Sequence, residues 1–438
     1  MRVVEDFDLL GLDAETMRDP YPFYRLLLED APVFKEPKHG VFIVSRYDDI
    51  MEMKRQPHRF SNRQATGPMT LPKLEDLPAD VRERIARMLG AGAAADPSAQ
   101  PPQPPLRTLL AADPPDHGRY RGMTNRLLNV RRAKQWEPRI RAIADELIDA
   151  FIDRGELEWV MDFGHPLALR TVAEVLGVPQ GDDKLLAEMF GGPNAGEAIG
   201  NPHVMVERML EGANAARPTR PTFVGFFTDR IKEMRARPVE GDFLSDLLEM
   251  PDANGIRLDD AEVLSIISHF QVAGHETSTK MMTQAMYQLV THPEAMAEVR
   301  ADPSLCENLI EEALRYEAPV QGLFQIANED IEIGGVLVPA ESMIMTLYGA
   351  ANRDPRHFDN PDRFDLHRAN ARTHLSFGQG IHFCVGSPFA RAEGKHGFQA
   401  FFERIADVRF APGKNTFERT VSYVLRGIRE MHLEFTRA

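Results

Sequence analysis

The sequence has few cysteines, no long apolar run and fewer basic than acidic side chains. Its 438 residues include two cysteines, Cys306 and Cys384, which excludes a disulfide scaffold and any four-cysteine metal or iron–sulfur site. Fifty-one basic against 66 acidic side chains give a formal net charge of −15. This charge argues against a general nucleic-acid or anionic-membrane binder. No stretch approaches the roughly 18 consecutive apolar residues that a transmembrane helix needs.

The N-terminal segment lacks the pattern of an export signal, because no basic stretch followed by an apolar run opens the chain. We therefore expect a cytoplasmic protein without a membrane anchor. Thiols stay reduced in that compartment. A conspicuous cysteine is then a ligand or a nucleophile rather than half of a disulfide.

The hydrophobic pattern predicts a mainly α protein with small β-sheets, an α+β class. Apolar residues recur at three- and four-residue spacing over about 132–310, which is typical of amphipathic helices. Toward the C-terminal third the period changes to two. Two apolar pairs within 331–338 flank Gly334–Gly335, and this pattern predicts a hairpin.

One predicted helix, 259–291, is long and contains a local inconsistency. At about 1.5 Å per residue it would span roughly 50 Å, and its apolar N-terminal half indicates burial. Its centre nevertheless reads AGHET over Ala273–Thr277. A mid-helix glycine costs ~1 kcal/mol relative to alanine, and an unpaired carboxylate in a dry core costs several more. Such an inconsistency is typical of a functional site; alternatively, the glycine relieves a helix crossing and Glu276 faces water.

A glycine-rich segment surrounds the second cysteine. Residues 375–391 read LSFGQGIHFCVGSPFAR, with three glycines around Cys384. Glycines let the backbone turn tightly and bring N–H groups toward the sulfur, which stabilises a thiolate and tunes a bound metal. A lone buried cysteine is more often inert packing. A cysteine nucleophile with His382 as its base also stays open at this point.

These motifs resemble those of the cytochrome P-450 family, the haem-thiolate monooxygenases. Residues Phe377–Gly386 resemble the haem-ligand loop of the family, and Ala273–Thr277 resembles its oxygen-activation motif. Glu312–Arg315 matches its helical Glu-x-x-Arg pair, and Asp113–Arg121 matches the helix that binds a haem propionate. The resemblance covers nearly the whole chain. It implies one cytochrome P-450-like domain over residues 1–438, with haem between the long central helix and the cysteine loop.

The resemblance implies a role for each matched residue. Cys384 would be the axial thiolate of haem b and push electron density onto the iron, so that the O–O bond breaks. Thr277 and Glu276 would hold water and relay protons to bound oxygen, and Gly274 would make room for it. The further cofactor contacts implied are Phe377, Gly378, Gly386 and the propionate anchors His117, Arg121 and His382.

Two more positions are interpreted through the family. Arg363 would complete a structural network with Glu312 and Arg315. Where the family commonly has an arginine that binds a propionate, this chain has Gln325. One charge-assisted contact is then predicted to be weakened or lost, which would alter the seating or the potential of the haem.

The substrate positions implied by the resemblance are largely apolar. They are the loop 62–110, the region 185–222, and the segments Ile266–Ala273, Val320–Phe324 and Val421–Leu425. Candidate pocket residues within them are Phe270, Ala273, Val320, Leu323, Phe324 and Val424, which favours a neutral hydrophobic small molecule. Residues 91–105 hold five alanines and five prolines and are predicted to be a mobile lid in the access loop. The alternative is a flexible linker or a surface insertion that never meets the ligand.

No flavin or iron–sulfur domain accompanies these motifs, so the resemblance implies electrons from NAD(P)H through a separate ferredoxin or flavodoxin and its reductase. Residues 119–141 carry eight basic groups and one acidic group, a basic face on which such an acidic partner would dock. The predicted reaction inserts one oxygen atom from dioxygen into a hydrophobic small molecule by hydroxylation or epoxidation. A peroxide-driven or non-oxygenating haem-thiolate enzyme and a non-catalytic haem sensor or carrier stay open as alternatives.

Overall fold

Helices dominate the computed structural model, which describes residues 3–68, 108–179, 183–214 and 222–438. The mainly α class with small sheets is therefore confirmed. The α-helices are Ala14–Arg18, Tyr21–Asp30, Tyr47–Arg55, Asp116–Leu127, Val130–Phe151, His165–Val175, Asp183–Phe190, Pro202–Asn214, Phe223–Ala236, Phe243–Glu249, Asp260–Ala273, Glu276–Thr291, Pro293–Ala301, Cys306–Tyr316, Tyr348–Ala351 and Ser387–Arg404. The Ala/Pro segment 91–105 and most of the predicted access loop 62–110 lie outside the described residues. The assignment of residues 1–438 to one domain stays a prediction.

The strands form three small sheets. They are β1 (Val33–Lys35), β2 (Phe42–Val44), β3 (Phe60–Ser61), β4 (Glu156–Glu158), β5 (Leu323–Ala327), β6 (Ile331–Ile333), β7 (Val336–Val338), β8 (Met343–Thr346), β9 (Ile405–Phe410) and β10 (His432–Arg437). One sheet has the order β1-β2-β8-β5-β3, with β2 and β8 parallel and the other neighbours antiparallel. The second has the order β4-β10-β9. The five-stranded sheet brings β5 and the helix after β2 to one edge of the site described below.

The third sheet is the predicted hairpin, which is confirmed. Strands β6 and β7 pair Ile331 with Val338 and Ile333 with Val336. The turn residues Gly334 and Gly335 have φ angles of +54° and +81°. A two-residue hairpin turn needs such angles, and they cost glycine little because it has no Cβ.

The predicted helix 259–291 is two helices rather than one. The first central helix is Asp260–Ala273, and the second central helix is Glu276–Thr291. The start is as expected, because Asp259 caps the first central helix in a capping box. The break has a local cause: His275 has φ −124° and ψ −41°, which is outside the helical range. The helical hydrogen-bond ladder is interrupted there.

The two central helices belong to different apolar clusters. The second central helix packs with Val130–Phe151, Cys306–Tyr316 and Ser387–Arg404 around buried residues such as Trp159. The first central helix contributes to a separate cluster with the helices that precede it in the chain. The break at 274–275 therefore falls where one cluster gives way to the other. In the described part of the chain, no helix has the length and apolar character needed to cross a membrane.

Candidate functional site

A cavity of about 580 Å³ lies between the central helices, the helix Asp116–Leu127 and the loop that carries Cys384. Its walls are mainly apolar. The predicted site residues that line it are His117, Arg121, Phe270, Ala273, Gly274, Thr277, Val320, Leu323, Phe324, Phe377, Gly378, His382, Cys384, Gly386 and Val424. These residues come from segments far apart in the chain, and the fold brings them to one space.

The cysteine loop presents a half-buried sulfur to this cavity. The Cys384 N–H donates to the Phe377 carbonyl over 2.8 Å, which closes the loop. Gly378 has a φ of +67°, a conformation that favours glycine. A Cβ on Gly386 would lie 3.9 Å from the sulfur. The sulfur is therefore held at a cavity wall rather than packed into the core.

Opposing effects act on the Cys384 thiol. Burial raises its pKa, whereas the Gly386 N–H, the Arg121 charge and the Ser387 N–H lower it in part. N–H donors and nearby cations of this kind stabilise a thiolate that binds a metal. The cysteine nucleophile interpretation is weaker, because burial lowers the pKa of His382 to about 3. At neutral pH a base with so low a pKa takes few protons from a thiol.

Nitrogen donors from distant segments meet at one edge of the cavity, which we call the cationic edge: Lys54, His117, Arg121 and His382. The rings of His117 and His382 lie 4.1 Å apart, centroid to centroid. Arg121 donates to the Phe383 carbonyl, and Lys54 Nζ donates to a side-chain amide oxygen. Burial lowers the pKa of Arg121 and lowers that of His117 to about 4. An arrangement of donors and cations around neutral partners is suited to carboxylates brought by a ligand.

The break in the central helices forms another part of the cavity wall. Thr277 Oγ1 donates to the Ala273 carbonyl over 2.9 Å. A Cβ on Gly274 would lie 2.6 Å from Cγ2 of Val172 and 2.8 Å from the Phe270 carbonyl, so the position has no room for a side chain. The alternative that this glycine relieves a helix contact is correct as far as Val172 is concerned. The same position also lines the cavity.

Glu276 is fully buried, so the alternative that it faces water is wrong. Its carboxylate accepts the Gly196 N–H, and Oε1 lies 3.0 Å from Nζ of Lys280. Burial raises the pKa of Glu276, and the Lys280 charge opposes this rise. The carboxylate therefore lies behind the cavity wall, next in sequence to Thr277, and is held there by an N–H group and an ammonium group.

Among the cavity residues without an individually predicted role are Lys54, Glu393 and His269, the last of which lies within the predicted substrate segment Ile266–Ala273. Glu393 lies on the helix that follows the cysteine loop, and burial raises its pKa to about 8. His269 lies on the first central helix, and its Nδ1 is 2.8 Å from the Ser265 carbonyl. Each side chain is ordinary for a solvent-facing helix position in the sequence. The missing signal was tertiary, because each one faces an interior space.

The predicted network around Glu312 differs in one member. Arg315 pairs with Glu312 over 2.7 and 2.8 Å, and the second arginine on this carboxylate is Arg368, at 3.1 and 3.2 Å. Arg363 contributes its carbonyl, which accepts from Arg315. Two residues after Arg363, the Asp365 N–H donates to Glu312, which holds the backbone of this turn against the carboxylate. The turn carries the side chain of Arg368, rather than that of Arg363, back to the carboxylate.

The predicted basic face over 119–141 is smaller than its sequence suggests. Arg119, Arg139 and Arg141 form ion pairs with carboxylates of neighbouring elements. The exposed basic residues left around Val130, which is 72% exposed, are Arg126, Arg131 and Lys134. These four residues form a small apolar and basic patch.

Comparison with known proteins establishes the family. The chain is 34% identical to 6-deoxyerythronolide B hydroxylase of Saccharopolyspora erythraea over 415 residues, which cover 94% of each chain. It belongs to the cytochrome P450 family. The family description "Cytochrome P450" also matches residues 203–405. A cytochrome P450 is a haem enzyme that uses dioxygen and a small-molecule substrate, and this one is a monooxygenase.

Two further cytochromes P450 support this placement. The monooxygenase PikC of Streptomyces venezuelae is 30% identical over 441 residues, covering 98% of this chain and 94% of its own. A substrate-free cytochrome P450 of Mycobacterium marinum has a TM-score of 0.79 and 29% identity, covering 99% of this chain and all of its own. Both similarities extend over nearly the whole chain.

The residues around the cavity fit haem b. A sulfur stands at one wall, and the cavity is lined mainly by apolar side chains. In the part of the chain that the structure describes, the hydrogen bonds of Lys54 and Arg121 go to neutral groups rather than to carboxylates. A haem has the complementary features: an iron that binds a thiolate, an apolar macrocycle and two carboxylates at one edge. The cavity is therefore suited to haem b by the cations at its edge as well as by the sulfur of Cys384.

Proposed function

We propose that this cytochrome P450 inserts one oxygen atom from dioxygen into a hydrophobic small molecule, by hydroxylation or epoxidation. The observation that carries the proposal is that Cys384 and Thr277 share one cavity with mainly apolar walls. Oxygen chemistry on an uncharged substrate is favoured by this combination of a thiolate ligand, a hydroxyl that lines the same cavity and mainly apolar walls. A peroxide-driven enzyme or a carrier needs no such hydroxyl at a helix break.

We propose that Cys384 holds the iron of haem b and that Phe377, Gly378 and Gly386 shape the loop around it. His117, Arg121 and His382 hold its carboxylates. When bound, the haem supplies the activation of dioxygen. The N–H groups near Cys384 moderate the basicity of its sulfur.

Thr277 positions water at the reaction site. Its hydroxyl proton goes to the Ala273 carbonyl, so the oxygen can accept a hydrogen bond from a water molecule in the cavity. Gly274 adds no side chain to this part of the cavity wall and lets Val172 approach the helix break closely. Glu276 supplies protons from behind the wall, and Glu393, whose pKa is raised to about 8, is a protonated acid at neutral pH that the cavity itself offers.

The substrate is hydrophobic, neutral and able to donate a hydrogen bond. His269 donates from Nδ1 to the Ser265 carbonyl, so its Nε2 is an acceptor, and burial lowers the pKa of His269, which keeps the ring neutral. His269 lies on the first central helix and Thr277 in the first turn of the second, so the two side chains line the cavity on the two sides of the helix break. A substrate oxidised near Thr277 therefore places a hydroxyl or N–H group toward the first central helix, away from the reacting carbon.

Electrons come from NAD(P)H through a ferredoxin or flavodoxin and its reductase. The patch of Arg126, Val130, Arg131 and Lys134 suits an acidic partner with an apolar centre. It belongs to the helices Asp116–Leu127 and Val130–Phe151, the second of which packs on the helix after the cysteine loop. Docking there brings the partner to the cysteine side of the site.

The first test is the absorption spectrum of the reduced protein with carbon monoxide. A strongly red-shifted Soret band is expected for the wild type, and it should disappear in Cys384→Ser. Cys306→Ser is the matched control, because Cys306 is buried and outside the cavity. A wild-type band typical of histidine ligation would refute the thiolate assignment.

The second test uses Thr277→Ala. The variant should bind haem and substrate as the wild type does, but a several-fold smaller share of the electrons consumed should reach product, the remainder forming peroxide. Thr283→Ala is the control, because Thr283, six residues further along the helix, also donates to the carbonyl four residues before it and is buried. Unchanged coupling in Thr277→Ala would contradict the role of its hydroxyl, and product formation from ¹⁸O₂ without label would contradict the monooxygenase reaction.

A further inference from the structure

Gln325, where the family commonly has a basic residue, is in contact with a lysine from a distant segment. Its Oε1 accepts a hydrogen bond of 2.7 Å from Nζ of Lys54. Its Nε2 donates to Oδ1 of Asn62 over 2.9 Å. Gln325 lies on β5 and is buried, whereas Lys54 lies in the last turn of the helix Tyr47–Arg55. The amide thus links two segments and fixes the position of an ammonium group.

The charge of Lys54 has only neutral partners in the described part of the chain. Besides Gln325, its Nζ lies 3.4 Å from Oγ1 of Thr346 and 5.7 Å from the ring centre of Tyr348. A half-buried ammonium group without an anion is unfavourable. Such a group is stabilised when a ligand brings a carboxylate to it.

The backbone of Lys54 is held against the cysteine loop. A Cβ on Gly380 would lie 2.6 Å from the Lys54 carbonyl oxygen, so the two segments are in direct contact. The Lys54 charge is also close enough to His382 to lower the pKa of that ring. The same cavity is lined by Lys54, Gln325, His382 and Arg121. Lys54 is therefore a member of the cationic edge by position as well as by charge.

We propose that Lys54, positioned by Gln325, is the cationic anchor of a haem propionate in this chain. Gln325 carries no charge and would by itself bind the propionate weakly. The missing cation is supplied by Lys54 on the helix Tyr47–Arg55. Gln325 acts as a positioning residue, because its amide oxygen orients the ammonium group and its amide nitrogen is fixed by Asn62. This inference rests on the proposed haem site and adds a binding residue to it.

The test measures how fast the ferric holoenzyme transfers haem to excess apomyoglobin. Lys54→Met keeps the length of the side chain and removes its charge, and haem loss should become about tenfold faster, the size of one charge-assisted contact. The midpoint potential of the haem should also become more negative, because a nearby cation stabilises the reduced form. Arg55→Met is the matched control: Arg55 is exposed and pairs with Glu52, and neither quantity should change.

A second variant tests whether charge at this place is what matters. Lys54→Met combined with Gln325→Arg should restore slow haem loss, because the cation then stands on β5. If Lys54→Met loses haem at the wild-type rate, or if the double variant loses it as fast as Lys54→Met, the anchoring role is overturned. The wild-type carbon monoxide spectrum separates the two proposals. A histidine-type band refutes the haem-thiolate site, whereas a thiolate-type band with unchanged haem loss refutes only the role of Lys54.

Discussion

Two clusters of charged side chains in this protein differ in how far their charges are neutralised. At Glu312, one buried carboxylate accepts from Arg315, Arg368 and the Asp365 N–H. At the cationic edge, the hydrogen bonds that Lys54 and Arg121 make within the described residues all go to neutral oxygen atoms. A cluster that satisfies its own charges serves the fold. A cluster that does not is prepared for a ligand of opposite charge.

The contrast has an energetic basis. Removing one partner from a buried ion pair leaves an uncompensated charge, which costs about 3–5 kcal/mol. Removing a cation that had no anion relieves unfavourable desolvation in the apoprotein instead. Substitutions in the two clusters should therefore have opposite consequences for folding and for cofactor retention.

The largest effect is expected at the Glu312 cluster. Arg368→Met should lower the free energy of unfolding by about 1.5–3 kcal/mol, because the buried Glu312 carboxylate loses the charge-assisted hydrogen bonds of Arg368 while Arg315 stays paired with it. Arg363→Met is the control and should change it by about 0.5 kcal/mol or less, as for most surface substitutions. Denaturant unfolding of both variants gives the comparison. Equal losses would show that Arg363 does belong to the network.

The next effect is on the pH dependence of stability and concerns Glu393, which belongs to neither cluster. The pKa of Glu393 is raised from 4.5 to about 8, so the folded protein keeps a proton that the unfolded chain releases above about pH 4.5. Its contribution to stability is complete below pH 4.5 and is lost as the pH rises to about 8. Glu393→Gln should flatten the pH dependence of the unfolding free energy over this window. An unchanged pH profile would place the pKa of Glu393 near its ordinary value.

At the cationic edge, a substitution is expected to change the rate of haem loss and to leave the stability of the apoprotein nearly unchanged. Arg121→Met should speed haem loss by about tenfold, whereas the unfolding free energy of the apoprotein should stay the same or rise by less than about 1 kcal/mol. Haem transfer and apoprotein unfolding measure the two quantities separately. A large loss of apoprotein stability would show that this cluster, too, is structural.

The smallest effect is expected at the exposed patch on the Val130–Phe151 helix. Arg131→Glu should slow association with an acidic ferredoxin several-fold at low salt, and added salt should remove the difference. Lys232→Glu is a matched control, because Lys232 is 68% exposed and lies on the helix Phe223–Ala236. Stopped-flow reduction at two ionic strengths measures this. Equal slowing by both substitutions would mean that only net charge matters.

Local chemistry explains which elements could be predicted. The hairpin around Gly334–Gly335, the capping box at Asp259 and the turn geometry of the cysteine loop each depend on residues within a few positions of one another. The helix break between Ala273 and Glu276 could not be predicted from neighbouring residues. The glycine in AGHET was visible, but the non-helical conformation of His275 is set where two packed clusters meet.

The sequence by itself determined the family-specific motifs, the helical class and the identity of the sulfur at the site, because these follow from short runs of residues. The tertiary structure decided which charges are neutralised. Lys54 and Gln325 are 271 positions apart, Glu276 meets Gly196 across 80, and Arg368 reaches Glu312 across 56. The strength of an electrostatic contact depends on distance and burial in space, and neither quantity is encoded in the local order of residues.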